Sequence, residues 1–156
     1  LPFLNGERVP ALPHATGSLH GLTMDNLTQA NLCRAAVEGT TFGLRYGLDL
    51  LRQNGLQSRS ICLIGGGSKS AVWRQIVADI MNTPVICTEH SEAAALGAAI
   101  QAAWCKSWSN GHEETLADLC QRCVKLDPSS ETLPIAANVA AFQQVYERYQ
   151  QHVATL

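Results

Sequence analysis

Residues 61–85 read ICLIGGGSKSAVWRQIVADIMNTPV, and the residues in them that could do chemistry are Gly65, Gly66, Gly67 and Ser68. A short apolar run ends in three glycines, and a helical pattern begins at once. Glycine lets the backbone turn tightly and lets a ligand approach with no Cβ in the way. A helix start adds unpaired N–H groups and the positive end of a dipole, so the pattern suits a nucleotide or another anion at the carboxyl edge of a sheet. A tight strand–helix connection with no ligand would have the same composition. A Walker phosphate loop needs a glycine directly before its lysine, whereas Ser68 precedes Lys69. A dinucleotide fingerprint needs G-x-G-x-x-G, and counted from Gly65 the last position is Ser70. Glu89 nevertheless stands about 20 residues on, where a ribose-binding acid would.

Other reactive side chains form weaker patterns. Cys120-x-x-Cys123 is the one close cysteine pair, and a zinc site would need two further ligands that no second CxxC or paired-histidine motif supplies. Of the other cysteines, Cys33, Cys62, Cys87 and Cys105 lie in apolar runs, as buried free thiols do. The histidines (His14, His20, His90, His112 and His152) are scattered and read as solvated loop or element-end residues. Asp25, Asp79 and Glu89 read as helix-end, helix-surface and strand-end residues, so no catalytic base is assigned. Trp73, Trp104 and Trp108 read as core or docking residues rather than a base-stacking platform.

These residues need elements to position them. The first 22 residues, rich in Pro and Gly, predict a loop, with a short strand around Ser18–Thr23. A long helix follows from about Thr28 to Asn54, stopped by Gly55. Inside it Gly39, Gly43 and Gly47 share one face, which predicts a helix pressed against a sheet. Ile61–Ile64 predicts a parallel strand buried on both faces, and Val72, Ile76 and Ile80 mark a helix over about 69–82. A second strand is expected at Val85–Cys87, then a helix from Glu92 to about Ser107 capped by Ser91. A shorter helix is expected around Glu113–Cys123, then a turn segment at Asp127–Pro134. The last helix carries Ile135, Val139, Phe142, Tyr146, Tyr149 and Val153 on one face. This alternation predicts an α/β fold.

Composition narrows the classes further. Only 15% of the 156 residues are charged, against about 25% in typical soluble domains. That low charge, with Leu1 in place of an initiator Met, is what a piece of a larger protein with a lost domain interface would show. The net charge of −2 and the absence of a basic stripe argue against a nucleic-acid binder. No stretch approaches the roughly 20 apolar residues of a membrane span, and no secretory signal is visible, so an intracellular location is the default expectation.

Three ordered segments resemble the C-terminal part of the FGGY family of carbohydrate kinases. Gly17-Ser18-Leu19-His20-Gly21-Leu22, followed after eight residues by Asn31-Leu32-Cys33-Arg34-Ala35-Ala36-Val37-Glu38, fits the family's second signature. The glycine segment is similar to the family's adenosine segment, and Glu92–Ala103 to the helix after it. Gly6–Pro10, GERVP, is similar to the xylulokinase branch of the family.

The resemblance implies a ribonuclease-H-like, actin-like ATPase fold, of which residues 1–156 would be the single C-terminal nucleotide-binding domain, with its first strands upstream. Gly65, Gly66, Gly67 and Ser68 would hold the nucleoside, and Ala71 matches a residue that contacts adenine in relatives. Some relatives carry Asn there, so a side-chain bond to adenine would be lost or supplied elsewhere. Gly17 and Gly21 would be structural.

The implied reaction is phosphoryl transfer from ATP to D-xylulose, with Mg²⁺ held with the help of an N-terminal domain that carries the base and the sugar site. The partners implied are ATP/ADP, the sugar and a second copy in a homodimer, with no nucleic acid or membrane, and the location is cytoplasmic. The chain alone is expected to be inactive. A different FGGY kinase (for ribulose, gluconate or glycerol) and a stand-alone nucleotide or dinucleotide module are the alternatives.

Overall fold

A computed structural model describes residues 1–111 and 114–156. In chain order the elements are α1 (Gln29–Gln53), β1 (Ile61–Leu63), a 3-10 turn (Gly66–Lys69), α2 (Ala71–Met81), β2 (Val85–Thr88), α3 (Ala93–Ser109), α4 (Leu116–Cys123), β3 (Leu126–Thr132) and α5 (Ala136–Val153). The chain divides into two compact units. The first is Leu1–Arg59 with Ile76–Thr83 and Pro134–Leu156; the second is Ser60–Gln75 with Pro84–Leu133.

In the first unit α1 has the expected extent. Thr28, extended, accepts a bond from the Asn31 N–H at 3.2 Å, and Gly55 leaves the helix at φ +94°. The 3–4 spacing of α5 turns Phe142, Tyr146, Tyr149 and Val153 inward, where all four are buried. Phe42 of α1 lies 5.7 Å from the Tyr146 ring, 5.6 Å from Tyr149 and 6.2 Å from Phe142, centroid to centroid. Within the first unit, a Cβ at Gly39 would stand 3.7 Å from Pro2 and one at Gly43 3.6 Å from the Tyr149 hydroxyl, both ordinary contacts, so this face lies against the N-terminal segment and α5.

Two further expectations are corrected in this unit. Residues 18–23 form no strand: no neighbouring strand pairs with them, and Gly21 turns the chain at φ +75°. Asp79 is no surface residue, being only 2% exposed. Ile135 at the start of α5 has no capping side chain of its own, and Asp79 supplies that role by accepting from the Ile135 N–H and from Asn138 Nδ2, both at 2.8 Å. His20 is exposed in a loop and His152 stands in the last turn of α5, the positions expected, and their rings stack 3.9 Å apart. Local desolvation, then the facing His152, hold His20 below the usual histidine range.

The second unit holds the sheet, in the order β1-β2-β3. β1 pairs parallel to β2, with Ile61 opposite Val85 and Leu63 opposite Cys87. β1 is an edge strand with Cys62 exposed, so the expectation of burial on both faces fails. β3 is the larger correction: the expected turn at 127–134 is mostly a strand antiparallel to β2. Pro128 cannot donate to a ladder and is tolerated beside an irregularity, which lies opposite Val85–Cys87. There the Ser130 hydroxyl accepts the Cys87 N–H at 2.8 Å in place of a backbone carbonyl.

α3 starts one residue later than expected, with Glu92 rather than Ser91 at its cap position. α4 is capped by Thr115, whose hydroxyl accepts from the Asp118 N–H while the Asp118 carboxylate accepts from the Thr115 N–H. The Thr115 hydroxyl bond, then its N–H, hold the Asp118 carboxyl below its usual range. The expected start of that helix at Glu113, and His112, lie outside the described residues.

Candidate functional site

The site is built where β1 runs into α2. Gly65, Gly66 and Gly67 are glycines for three different physical reasons. Gly65 has φ +84° and ψ −176°, a region of backbone space essentially reserved for glycine. A Cβ on Gly67 would fall 1.7 Å from Cζ3 of Trp73, so the indole occupies the place of a side chain. At Gly66 neither reason applies. Its backbone is not left-handed, its surroundings are open to 4 Å, and it is exposed. A side chain there would meet nothing within 4 Å in this chain.

The expectation that a helix begins directly at the glycines is corrected. The 3-10 turn Gly66–Lys69 intervenes, and Ser70 separates it from α2. Ser70 caps α2, its hydroxyl accepting from the Trp73 N–H at 3.3 Å. Ala71 is therefore the first residue of the helix and is exposed. Ser68 alone of the expected residues is buried. Its hydroxyl donates to the Gly65 carbonyl at 2.7 Å and closes the turn from inside. The structure thus places Gly65, Gly66, Gly67 and Ser68 on one turn and Ala71 at the start of the helix that follows, with Gly66 and Ala71 exposed.

Trp73 and Arg74, which sequence reasoning did not assign to the turn, grip it from below. Arg74 Nη1 donates to the Ser68 carbonyl at 2.8 Å, and its Nε is buried with no hydrogen-bond partner. Cys87 on β2 brings its thiol to the same carbonyl at 3.8 Å. A glycine six residues before a tryptophan, across a capped helix start, was the available signal for Trp73. The turn therefore offers exposed backbone at Gly66 over a base formed by Trp73, Arg74 and Cys87.

The other candidates do not join this turn. Lys69 is exposed on it, and Glu89 follows β2 with its N–H bonded to the Lys125 carbonyl at 3.0 Å. Cys120 and Cys123 sit as free, half-buried thiols on the last turn of α4, and among the described residues no group of three or more His, Cys, Asp or Glu could hold a metal ion. Of the cysteines expected to be buried, only Cys87 is; Cys33, Cys62 and Cys105 are exposed. Trp104 and Trp108 pair with each other at 6.0 Å on α3. No helix among the described residues is long and apolar enough to cross a membrane.

A strand, a glycine turn and a helix on a mixed sheet define an α/β protein, and comparison with known proteins places it. Residues 1–105 match the FGGY family of carbohydrate kinases, C-terminal domain, and the chain belongs to that family. Over its whole length the chain is 52% identical to xylulose kinase from Haemophilus influenzae, of which it spans 31%. Over 151 residues, 95% of the chain, it is 33% identical to xylulose kinase from Bacillus subtilis, of which it spans 28%.

Ligand-bound xylulose kinase from Lactobacillus acidophilus matches all of the chain with a TM-score of 0.84 and 27% identity, over 30% of its own length. Gluconate kinase from the same organism matches with a TM-score of 0.83 and 27% identity, again over all of this chain and 30% of its own. The expected C-terminal part of an actin-like ATPase fold is therefore the fold found.

Proposed function

We propose that residues 1–156 form one domain, the nucleoside-holding C-terminal domain of an ATP-dependent kinase that converts D-xylulose to D-xylulose 5-phosphate. The observation that carries this reading is the open, exposed Gly66 in a closed glycine turn, within a chain 52% identical to a xylulose kinase. Gly65, Gly66, Gly67, Ser68 and Ala71 hold the nucleoside, and ATP, when bound, supplies the phosphoryl group. Mg²⁺ accompanies the triphosphate, with its protein ligands in the N-terminal domain, together with the base and the sugar site. In-line transfer needs all these groups positioned at once, so this chain alone is inactive. The kinase is cytoplasmic, where ATP is made and used, and assembles as a homodimer.

A second reading, gluconate as substrate, is favoured by one observation: the gluconate kinase matches the fold almost as closely as the xylulose kinase does. The complete kinase assayed with D-xylulose, D-ribulose, gluconate and glycerol separates them. The highest kcat/KM is expected for D-xylulose; a preference for gluconate would replace the first reading with the second. Phosphorylation of any of these sugars by the 156-residue chain alone would contradict the division of labour proposed.

A further inference from the structure

We infer that Trp73 and Arg74 are positioning residues for the nucleotide, two neighbours on α2 that fix two neighbours on the turn. The inference rests on the reading that the turn holds a nucleoside, and deepens it. Trp73 lies where the side chain of Gly67 would be, with Cζ3, Cε3 and Cη2 at 1.7, 2.2 and 2.9 Å from that Cβ position. Any rotation of Gly67 that swings its backbone toward α2 therefore meets the indole. Arg74 acts on the next residue, because its 2.8 Å bond to the Ser68 carbonyl fixes that whole peptide plane, the C=O and the following N–H being locked antiparallel.

The Arg74 guanidinium is part-buried, and its Nε makes no hydrogen bond, so its orientation toward Ser68 is won at the cost of an unsatisfied donor. A residue that served only to stabilise α2 would do better pointing to solvent. With Gly65 fixed by its own dihedrals, Gly67 by Trp73 and Ser68 by Arg74, the side of the turn left without a protein contact is that of Gly66. The seat is thus held rigid before the ligand arrives, and rigidity of this kind lowers the ordering cost of binding.

The test uses the complete kinase and reads KM for ATP, KM for the sugar, kcat and Tm. Arg74→Gln is expected to raise KM for ATP about tenfold while leaving KM for the sugar in place, the loss expected of a hydrogen bond from a charged donor. Arg74→Lys, which keeps a cationic donor for the Ser68 carbonyl, is expected to recover most of that loss. Trp73→Leu is expected to act in the same direction, and Trp73→Phe serves should the leucine variant not fold.

Lowered Tm with unchanged KM for ATP in Arg74→Gln and Trp73→Phe would overturn the inference and make both residues merely structural. If Gly66→Ala still weakens ATP binding in that case, the nucleoside reading stands and only the positioning role fails. If Gly66→Ala has no effect on ATP binding either, both fall together.

Discussion

Where α1 meets α5, side chains are the structure: Phe42 is ringed by Tyr146, Tyr149 and Phe142, with Arg45 stacked on Tyr146 at 4.0 Å. At Gly65–Ser68 the side chains are withdrawn and the backbone is the surface, held from beneath by Trp73 and Arg74. The first region resists change because each ring has several partners. The second leaves space for a side chain at Gly66, while Gly65 is set by its dihedrals and Gly67 by the Trp73 ring, so the proposed ligand role of Gly66 can be separated from the structural roles of its neighbours. Substitution effects on stability and on nucleotide binding should therefore diverge between the two regions.

The largest stability effect belongs to the helix pair. Phe42→Ala is expected to lower unfolding free energy by about 3–5 kcal/mol, read by denaturant titration. A loss below about 1 kcal/mol would mean the aromatic cluster is not a packed core. Gly67→Ala should cost about 1–3 kcal/mol because its methyl group must displace the Trp73 ring, an overpacking penalty inside the turn. A bulkier Gly67→Val would crowd the Trp73 ring further.

A pH effect at high pH belongs to the helix pair. Burial, followed by Glu7 and Tyr46, pushes the Tyr149 hydroxyl up to about 12 from its ordinary 10. The unfolded chain loses that proton first, so the contribution is intact below pH 10 and disappears as pH rises toward 12. Burial raises Tyr146 in the same direction. Tm followed from pH 9 upward should fall more steeply for the wild type than for Tyr149→Phe, in a window set by the 10 and 12 of Tyr149. Parallel curves would contradict the buried-hydroxyl account.

What the sequence made legible divides along the same line. α1, α5 and the strand–turn–helix were readable because each depends on local period, a cap or a stop residue, as with Thr28 and Gly55. β3 was not, because DPSSETLP has turn composition and its pairing is decided by Ser130 reaching Cys87, 43 residues away. Asp79 was misplaced for a similar reason, since its partner Ile135 is 56 residues on and helix periodicity carries no sign of it. The candidate site was legible as glycines, and the resemblance supplied its ligand. The division of labour among Gly65, Gly66 and Gly67 was not, because it depends on dihedrals and on where one tryptophan ring lies.

The central claim is that Gly66 is small for a nucleotide and not for the fold. The direct measurement is calorimetric titration of ADP into the complete kinase, wild type and Gly66→Ala, with Tm recorded for both. The account predicts a stability change within about 0.5 kcal/mol and at least a tenfold weaker Kd for ADP, or about 1.4 kcal/mol of binding free energy. Equal ADP affinity in two equally stable proteins would contradict it.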